Sequence, residues 1–437
     1  MTILLGIISI GILIFVHELG HFLIARFTGI RVEVFSIGWG RGILSFKWKE
    51  TKIQIGWIPF GGYCKFAGDS PRDDIQEKPD EFYSSSPYKR IVVALGGPVF
   101  NYIFAVILFS LIVIIGYEIK TYPNKIILAR LDEISVSSEK TPAQLAGIKD
   151  GDVIVEINGK KIHHWDDITE NIVWNALKPV RLKILRKGKI YETIVVPDLD
   201  SETGRGLIGI QPWVEPVIGN VSPGGPADRA GVNTGDRILS VDGKEIQHYV
   251  DFYRAIKGKS NKQVFITIER SGQTAELTLV PQLDEGYDSA GLIFQQITYK
   301  SEKYPFYTAF GKGFLKSVRV VKDTIRGIVL VFSGKIQVRK AVAGPVKLIY
   351  LSGLIAKEGF IYFFQVMSYI SIALFIMNLI PFPALDGSQI VISLYEIAAR
   401  KKPNLNVVHR IQTFGILFLI VVLIFITMND ISSFFGK

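Results

Sequence analysis

Two histidines and a glutamate stand inside an apolar stretch that should carry none of them. They are His17, Glu18 and His21, within GIISIGILIFVHELGHFLIARF from Gly6 to Phe27. The histidines are four apart, so on a helix they share one face one turn apart, close enough for both imidazoles to bind one zinc ion. Glu18 lies between them, and a carboxylate beside a zinc-bound water can take its proton once the metal has lowered that water's pKa toward neutrality. This is the H-E-x-x-H spacing of zinc hydrolases. The run from Met1 to Phe27 is long enough to cross about 30 Å of hydrocarbon, and ionisable groups inside such a run are costly enough to mark a functional site. An ordinary anchor with His17 and Glu18 at its wet end leaves the i, i+4 pair unexplained. A cleaved signal peptide would want a basic segment before the run and a small-residue site after it, and neither is present.

A catalytic zinc needs a third protein ligand and an open fourth position. Asp386, in NLIPFPALDG from Asn378 to Gly387, is the outstanding candidate, because Pro381 and Pro383 break a helix there and a carboxylate beside irregular backbone at membrane depth wants a positive partner. The competing role for Asp386 is the N-cap of a helix over 387–399. Asn378 either donates to a substrate carbonyl or a developing oxyanion, or makes an interhelical hydrogen bond.

These residues must be positioned by a membrane scaffold. The 437-residue chain has room for two to four domains, and four apolar runs, at about 2–27, 91–117, 359–382 and 411–427, have spanning length. A formal net charge of +10 together with such runs excludes a soluble nucleic-acid binder and indicates basic membrane flanks. Basic residues gather in the 26–90 segment and the 396–410 loop, which places both on the cytoplasmic side, and the termini and the 118–300 insert outside. The single cysteine, Cys64, excludes an internal disulfide and reads as a small packed residue.

Between Arg31 and Phe66 the pattern alternates with period two, as in RVEVFSIGWG and KIQIGWIPFGGY, with Gly38, Gly40, Gly42 and Gly56 at bends. This predicts a membrane-associated β-hairpin over 31–68, either pairing with an extended substrate or lying on the cytoplasmic side without a substrate role. A polar cytoplasmic loop over 69–90 follows. The second span opens with GGPVFN from Gly96 to Asn101, small residues suited to close helix packing.

The insert contains a duplication. Sliding by 84 residues lays TPAQLAGIKDGDVIVEINGKKI on GPADRAGVNTGDRILSVDGKEI, with Pro142, Ala143, Ala146, Gly147, Gly151, Asp152, Ile154, Gly159, Lys160 and Ile162 meeting identical residues. Each copy reads as a short helix, a Gly-Asp turn, a buried strand and a hairpin turn. The copies resemble the PDZ domain, which implies two tandem α+β domains, at 120–205 and 206–285, that bind a peptide or act as a steric filter. GLIGI, Gly206 to Ile210, reads as the carboxylate-cradling segment of the second copy, while the first copy lacks one. His163, His164 and His248 read as surface loop residues. An amphipathic linker helix is expected over 300–345, on the outer membrane surface or against the bundle, then a third transmembrane region over 346–395 and a fourth helix over 411–430.

HELGH in the first span, NLIPFPALDG at the end of the third and two PDZ-like copies between them resemble the site-2 protease family of intramembrane zinc metalloproteases, closest to the bacterial regulator of sigma-E proteases. GWG at Gly38 to Gly40 and GGPVFN resemble further family motifs, so the likeness spans nearly the whole chain. It implies a polytopic α-helical fold in the bacterial inner membrane, one zinc held by His17, His21 and Asp386, Glu18 as general base, and Asn378, Gly38 and Gly40 near the substrate. The implied substrate is a single-span membrane protein such as a pre-trimmed anti-sigma factor. Two rivals stand beside this reading: a membrane peptidase for signal peptides or pheromone precursors, and a non-enzymatic PDZ scaffold.

Overall fold

A computed structural model of the chain describes residues 2–69, 78–130, 140–200, 204–284, 287–334, 344–357 and 359–435. Residues 70–77 of the expected polar loop, including Pro71 and Arg72, and the end of the expected 300–345 linker lie outside the described residues. The chain divides into two compact units, Met1–Tyr117 with Glu302–Lys437, and Glu118–Ser301.

The first unit is helical apart from one β element. Its helices are α1 (Thr2–Thr28), α2 (Pro87–Ile115), α3 (Phe306–Phe332), α4 (Pro345–Lys357), α5 (Phe360–Leu379), α6 (Asp386–Ala399) and α7 (Leu405–Phe435). Among the described residues, Ile3–Thr28, Pro87–Ile115, Phe360–Leu379 and Leu405–Met428 are long and apolar enough to cross a membrane. Side chains from three of them meet where Leu13, Leu108 and Met367 pack together. Gly20 and Gly96 let α1 and α2 approach until a Cβ on Gly20 would lie 2.3 Å from the Gly96 carbonyl oxygen, which is the close packing expected of the small residues opening the second span. The expected third transmembrane region is three separate helices, because Gly359, Pro381 and Pro383 interrupt it. Of the two places considered for the amphipathic helix, α3 takes the one against the bundle: Ser317 Oγ donates to Tyr102 Oη at 3.0 Å, and Val320 is buried with Ala105, Phe109 and Ile372.

The β element comprises β1 (Val32–Trp48) and β2 (Thr51–Phe66), and it is more than a two-armed hairpin. The first part of β1, around Val34–Ile37, is partnered by Gly62–Lys65 and also by Lys52–Ile55, while Gly42–Trp48 pairs with Thr51–Gly56. The ribbon therefore doubles back on itself. Gly38 and Gly40 make this possible, with φ of +88° and +87° that side-chain-bearing residues rarely adopt. Its base is anchored where Val32 and Phe35 pack with Phe22, Ala25, Phe82 and Val93.

In the second unit both copies fold alike. Val153–Ile157, Trp165–Val173, Val180–Arg186 and Lys189–Val195 recur as Arg237–Val241, Tyr249–Ile256, Val264–Arg270 and Gln273–Leu279. The boundary expected at 205/206 is corrected. Ile210–Pro212 pairs with Ile126–Leu128, Ile208 is buried in the first core, and its carbonyl accepts from Ala143 N, so GLIGI completes the first copy. The second copy is completed by its own following strand, Leu292–Phe294 on Ile218–Val221, with Ala290 O accepting from Ala227 N. The first copy therefore does have the Gly-rich segment that it was expected to lack, placed after the duplicated stretch. His164 and His248 are also not surface loop residues: both are buried at helix N-termini, where His248 Nδ1 accepts from Asp251 N and the His164 ring packs on Tyr299.

A matched ion pair pins each Gly-Asp turn. Arg186 bonds both oxygens of Asp152 and the Gly147 carbonyl, and Arg270 does the same with Asp236 and Gly231. Burial alone would raise the Asp236 carboxyl, but Arg270 and the Asn233 N–H hold it below the usual carboxylate range. A depressed folded-state pKa adds stability that is present above the ordinary value and is lost as pH falls through the folded one. We therefore expect the second copy to lose stability on acidification below about pH 4. Thermal unfolding of the full chain across pH checks this, since Asp236→Asn should flatten that acid limb.

Candidate metal centre and catalytic cleft

Helix α1 presents His17 and His21 on one face, and α6 brings Asp386 to them from the far end of the sequence. His17 Nε2 and His21 Nε2 lie 3.2 Å apart. Asp386 Oδ2 is 3.2 Å from the first and Asp386 Oδ1 is 3.3 Å from the second. Donors bound tetrahedrally at about 2.0–2.1 Å from zinc are about 3.3 Å apart, so the three groups sit near the vertices of a zinc coordination shell. Among the described residues they form the one His, Cys, Asp and Glu cluster close enough to hold a metal. Asp386 Oδ2 is buried and, among the described residues, has no polar partner other than the His17 ring at 3.2 Å, which suits a metal-ligand atom.

Asp386 does not cap its helix. It is the first helical residue, Leu385 is the cap, and no side-chain cap bond is made. The turn before it is held by Leu385 N donating to Phe382 O at 3.1 Å, and by Ala384 in the left-handed region at φ +79°. A non-glycine residue there is strained, which is common where surrounding structure fixes a functional loop. Helix α6 is also held by contacts further along its length. Arg90, 1% exposed on α2, donates to Glu396, and the Gln389 amide donates to Tyr83 Oη at 3.4 Å. Leaving either member of a buried ion pair alone costs about 3–5 kcal/mol, so this pair fixes how α6 docks.

Glu18 lines the same cleft as both histidines and Asp386, together with Trp39, Gly61, Gly62, Tyr63, Cys64 and Asn378. A Cβ on Gly62 would come within 3.1 Å of Glu18 Cγ. The return arm of β2 therefore lies directly against this carboxylate. Gly38 and Gly40 do not line the cleft; the residue they bend into it is Trp39. Cys64 is packed as expected, and burial pushes its thiol well above the usual range.

Gly97 and Asn101, expected from the sequence to serve helix packing, both shape this site. A Cβ on Gly97 would lie 2.3 Å from His21 Nε2 and 2.6 Å from His17 Cε1. His21 Nδ1 is 2.8 Å from the Val93 carbonyl, and His17 Nδ1 is 3.2 Å from Asn101 Nδ2. The 97/101 spacing, one helix turn, was the available signal.

Peptidase family M50 matches residues 5–422. The protein named "Putative zinc metalloprotease" of Treponema pallidum strain Nichols is 29% identical over 450 residues, covering 99% of each chain. The regulator of sigma-E protease of Escherichia coli strain K12 is 29% identical over 456 residues, covering 98% of this chain and 97% of that protein. Among solved structures, a PDZ domain of an SdrC-like protein from Listeria monocytogenes aligns with 19% of this chain and 86% of its own at 20% identity, with a TM-score of 0.17.

Proposed function

This chain belongs to peptidase family M50, and on that premise we propose that it is an intramembrane zinc metalloprotease that cuts a peptide bond in or beside the transmembrane segment of a single-span protein. The observation that carries the reading is the meeting of His17, His21 and Asp386 with Glu18 in one cleft of a helical membrane scaffold. His17, His21 and Asp386 would hold one zinc, which when bound supplies Lewis-acid polarisation of a carbonyl and acidification of a water.

The chain's own residues do the rest. The Glu18 carboxylate accepts a proton from the attacking water and returns it to the departing amide nitrogen. Asn378, in the cleft wall, donates to the carbonyl oxygen as charge develops there. Helical peptide bonds are shielded, so the substrate must be extended before it is cut. Gly62–Cys64 borders the cleft as an extended segment that can meet it as a neighbouring strand, with Trp39 against its side chains and Gly38 and Gly40 setting that Trp.

The two copies in the second unit act as PDZ-like domains, each closed by the strand that follows it, and either bind a peptide or screen substrates by size. In this reading the protein is a multi-pass protein of a bacterial inner membrane, with those domains outside and the metal toward the cytoplasmic side, and its substrate is a trimmed anti-sigma factor or a similar single-span protein. The sigma-E protease relative of comparable length supports that substrate class.

The test is zinc content and cleavage of a reporter single-span protein by purified wild type and Asp386→Ala. Wild type should carry one zinc and cut, and Asp386→Ala should lose most of both. Zinc-free wild type, or Asp386→Ala that keeps its metal, would overturn the assignment.

A further inference from the structure

An imidazole that ligates a metal through Nε2 carries its proton on Nδ1, and a buried Nδ1–H needs an acceptor that also sets the ring's angle. His21 has one in the Val93 carbonyl, a backbone group that no substitution removes. The Nδ1 of His17 faces a side chain instead, the amide of Asn101 on α2. Asn101 is 0% exposed, its Oδ1 has no hydrogen-bond partner, and its backbone carbonyl accepts from Ser371 Oγ at 2.8 Å, which ties this point of α2 to α5.

With Asn101 Nδ2 facing the ring, His17 Nδ1 has to be the acceptor, and the proton then sits on Nε2, where it blocks ligation. Turning the amide by half a rotation exchanges two atoms of nearly equal size. It brings Oδ1 onto Nδ1–H and frees Nε2 to face Asp386. The atom left without a partner is then Nδ2, so the imidazole, more than the surrounding cavity, decides the orientation.

We propose that Asn101 is a positioning residue for the metal centre, whose amide oxygen accepts from His17 Nδ1–H and so holds His17 in the tautomer and ring orientation that bind zinc. The proposal rests on the metal reading above. It assigns to α2 a task in the site apart from packing, and it gives each histidine its own fixed acceptor, one from backbone and one from side chain.

The experiment measures zinc affinity by chelator competition on the purified full chain for wild type, Asn101→Leu and Asn101→Asp, with thermal unfolding of the metal-free proteins alongside. Leu keeps the volume of Asn without an acceptor, while Asp keeps the acceptor. Asn101→Leu should bind zinc about 10–100-fold more weakly, while Asn101→Asp stays within a few-fold of wild type. If Asn101→Leu does not fold, Asn101→Ala takes its place in the comparison with Asn101→Asp. Equal zinc affinity in wild type and Asn101→Leu overturns the proposal and leaves the metal reading intact. So does an Asp variant no better than the variant without an acceptor, since that is the result of a packing role alone. Wild type that binds no zinc overturns both.

Discussion

Glu18→Gln should keep its zinc and lose about 10²–10⁴-fold in cleavage rate, the contribution of a positioned proton acceptor. The two halves of that expectation come from different parts of the geometry. Metal is retained because Glu18 is outside the cluster formed by His17, His21 and Asp386, and because Gln matches Glu in volume, so the contact of Gly62 with this side chain is undisturbed. Turnover is lost because an amide cannot take up and return a proton. Zinc quantification and single-turnover cleavage on the same preparation read the two separately. If Glu18→Gln cuts as fast as wild type, another group is the base; if it loses zinc, Glu18 belongs among the ligands.

Gly97→Ala should lower zinc affinity by more than about 100-fold, beyond what a weakened neighbour of a ligand costs, and cleavage should fall with it. One added methyl group has this effect because it would occupy the space of the ligands themselves, 2.3 Å from His21 Nε2 and 2.8 Å from His17 Nδ1. Neither ring can yield without giving up its partner, the Val93 carbonyl for one and the Asn101 amide for the other. Helix propensity itself does not oppose the change, since Ala is favoured over Gly by about 1 kcal/mol in a helix interior. Gly11→Ala is the internal control, a helical glycine of α1 with nothing within 4 Å of an added Cβ. Helix content by circular dichroism and zinc content by competition separate the effects. Unchanged zinc affinity in Gly97→Ala would mean that the histidines have room that this geometry denies them.

The parts of the site that could be read from sequence are those whose chemistry is out of place in its surroundings. Two imidazoles and a carboxylate in an apolar run, and an aspartate behind two prolines, carry their own signal, and the structure brings all four into one cleft. The spans were legible for the same reason, because twenty apolar residues have few other uses. What escaped depends on long-range approach. Arg90 and Glu396 are 306 residues apart, and neither looks unusual at its own position. Gly97 and Asn101 read as packing because nothing local shows that the imidazoles of another helix lie over them. The assignment of GLIGI to the wrong copy has a related origin: the duplication fixes where similar residues recur, but each copy is closed by a strand beyond the recurring stretch, and only the pairing of Ile210–Pro212 with Ile126–Leu128 shows it. The doubled-back ribbon likewise follows from two glycines at positive φ, which alternation of apolar residues cannot reveal.

The distance along the chain between the histidines and Asp386 also has a consequence in time. A ribosome makes His17 and His21 within the first span and reaches Asp386 only after the second unit and two further spans. At about 5–20 residues per second that interval is on the order of 20–70 s. On the ligand set proposed above, the emerging polypeptide until then has two imidazoles and a base but no third ligand, and so no complete metal site. On that ligand set the metal site can be completed only late in synthesis, after α1, α2 and α5 have all been made. On the same reading, a chain cut short before Asp386 would lack the third ligand altogether.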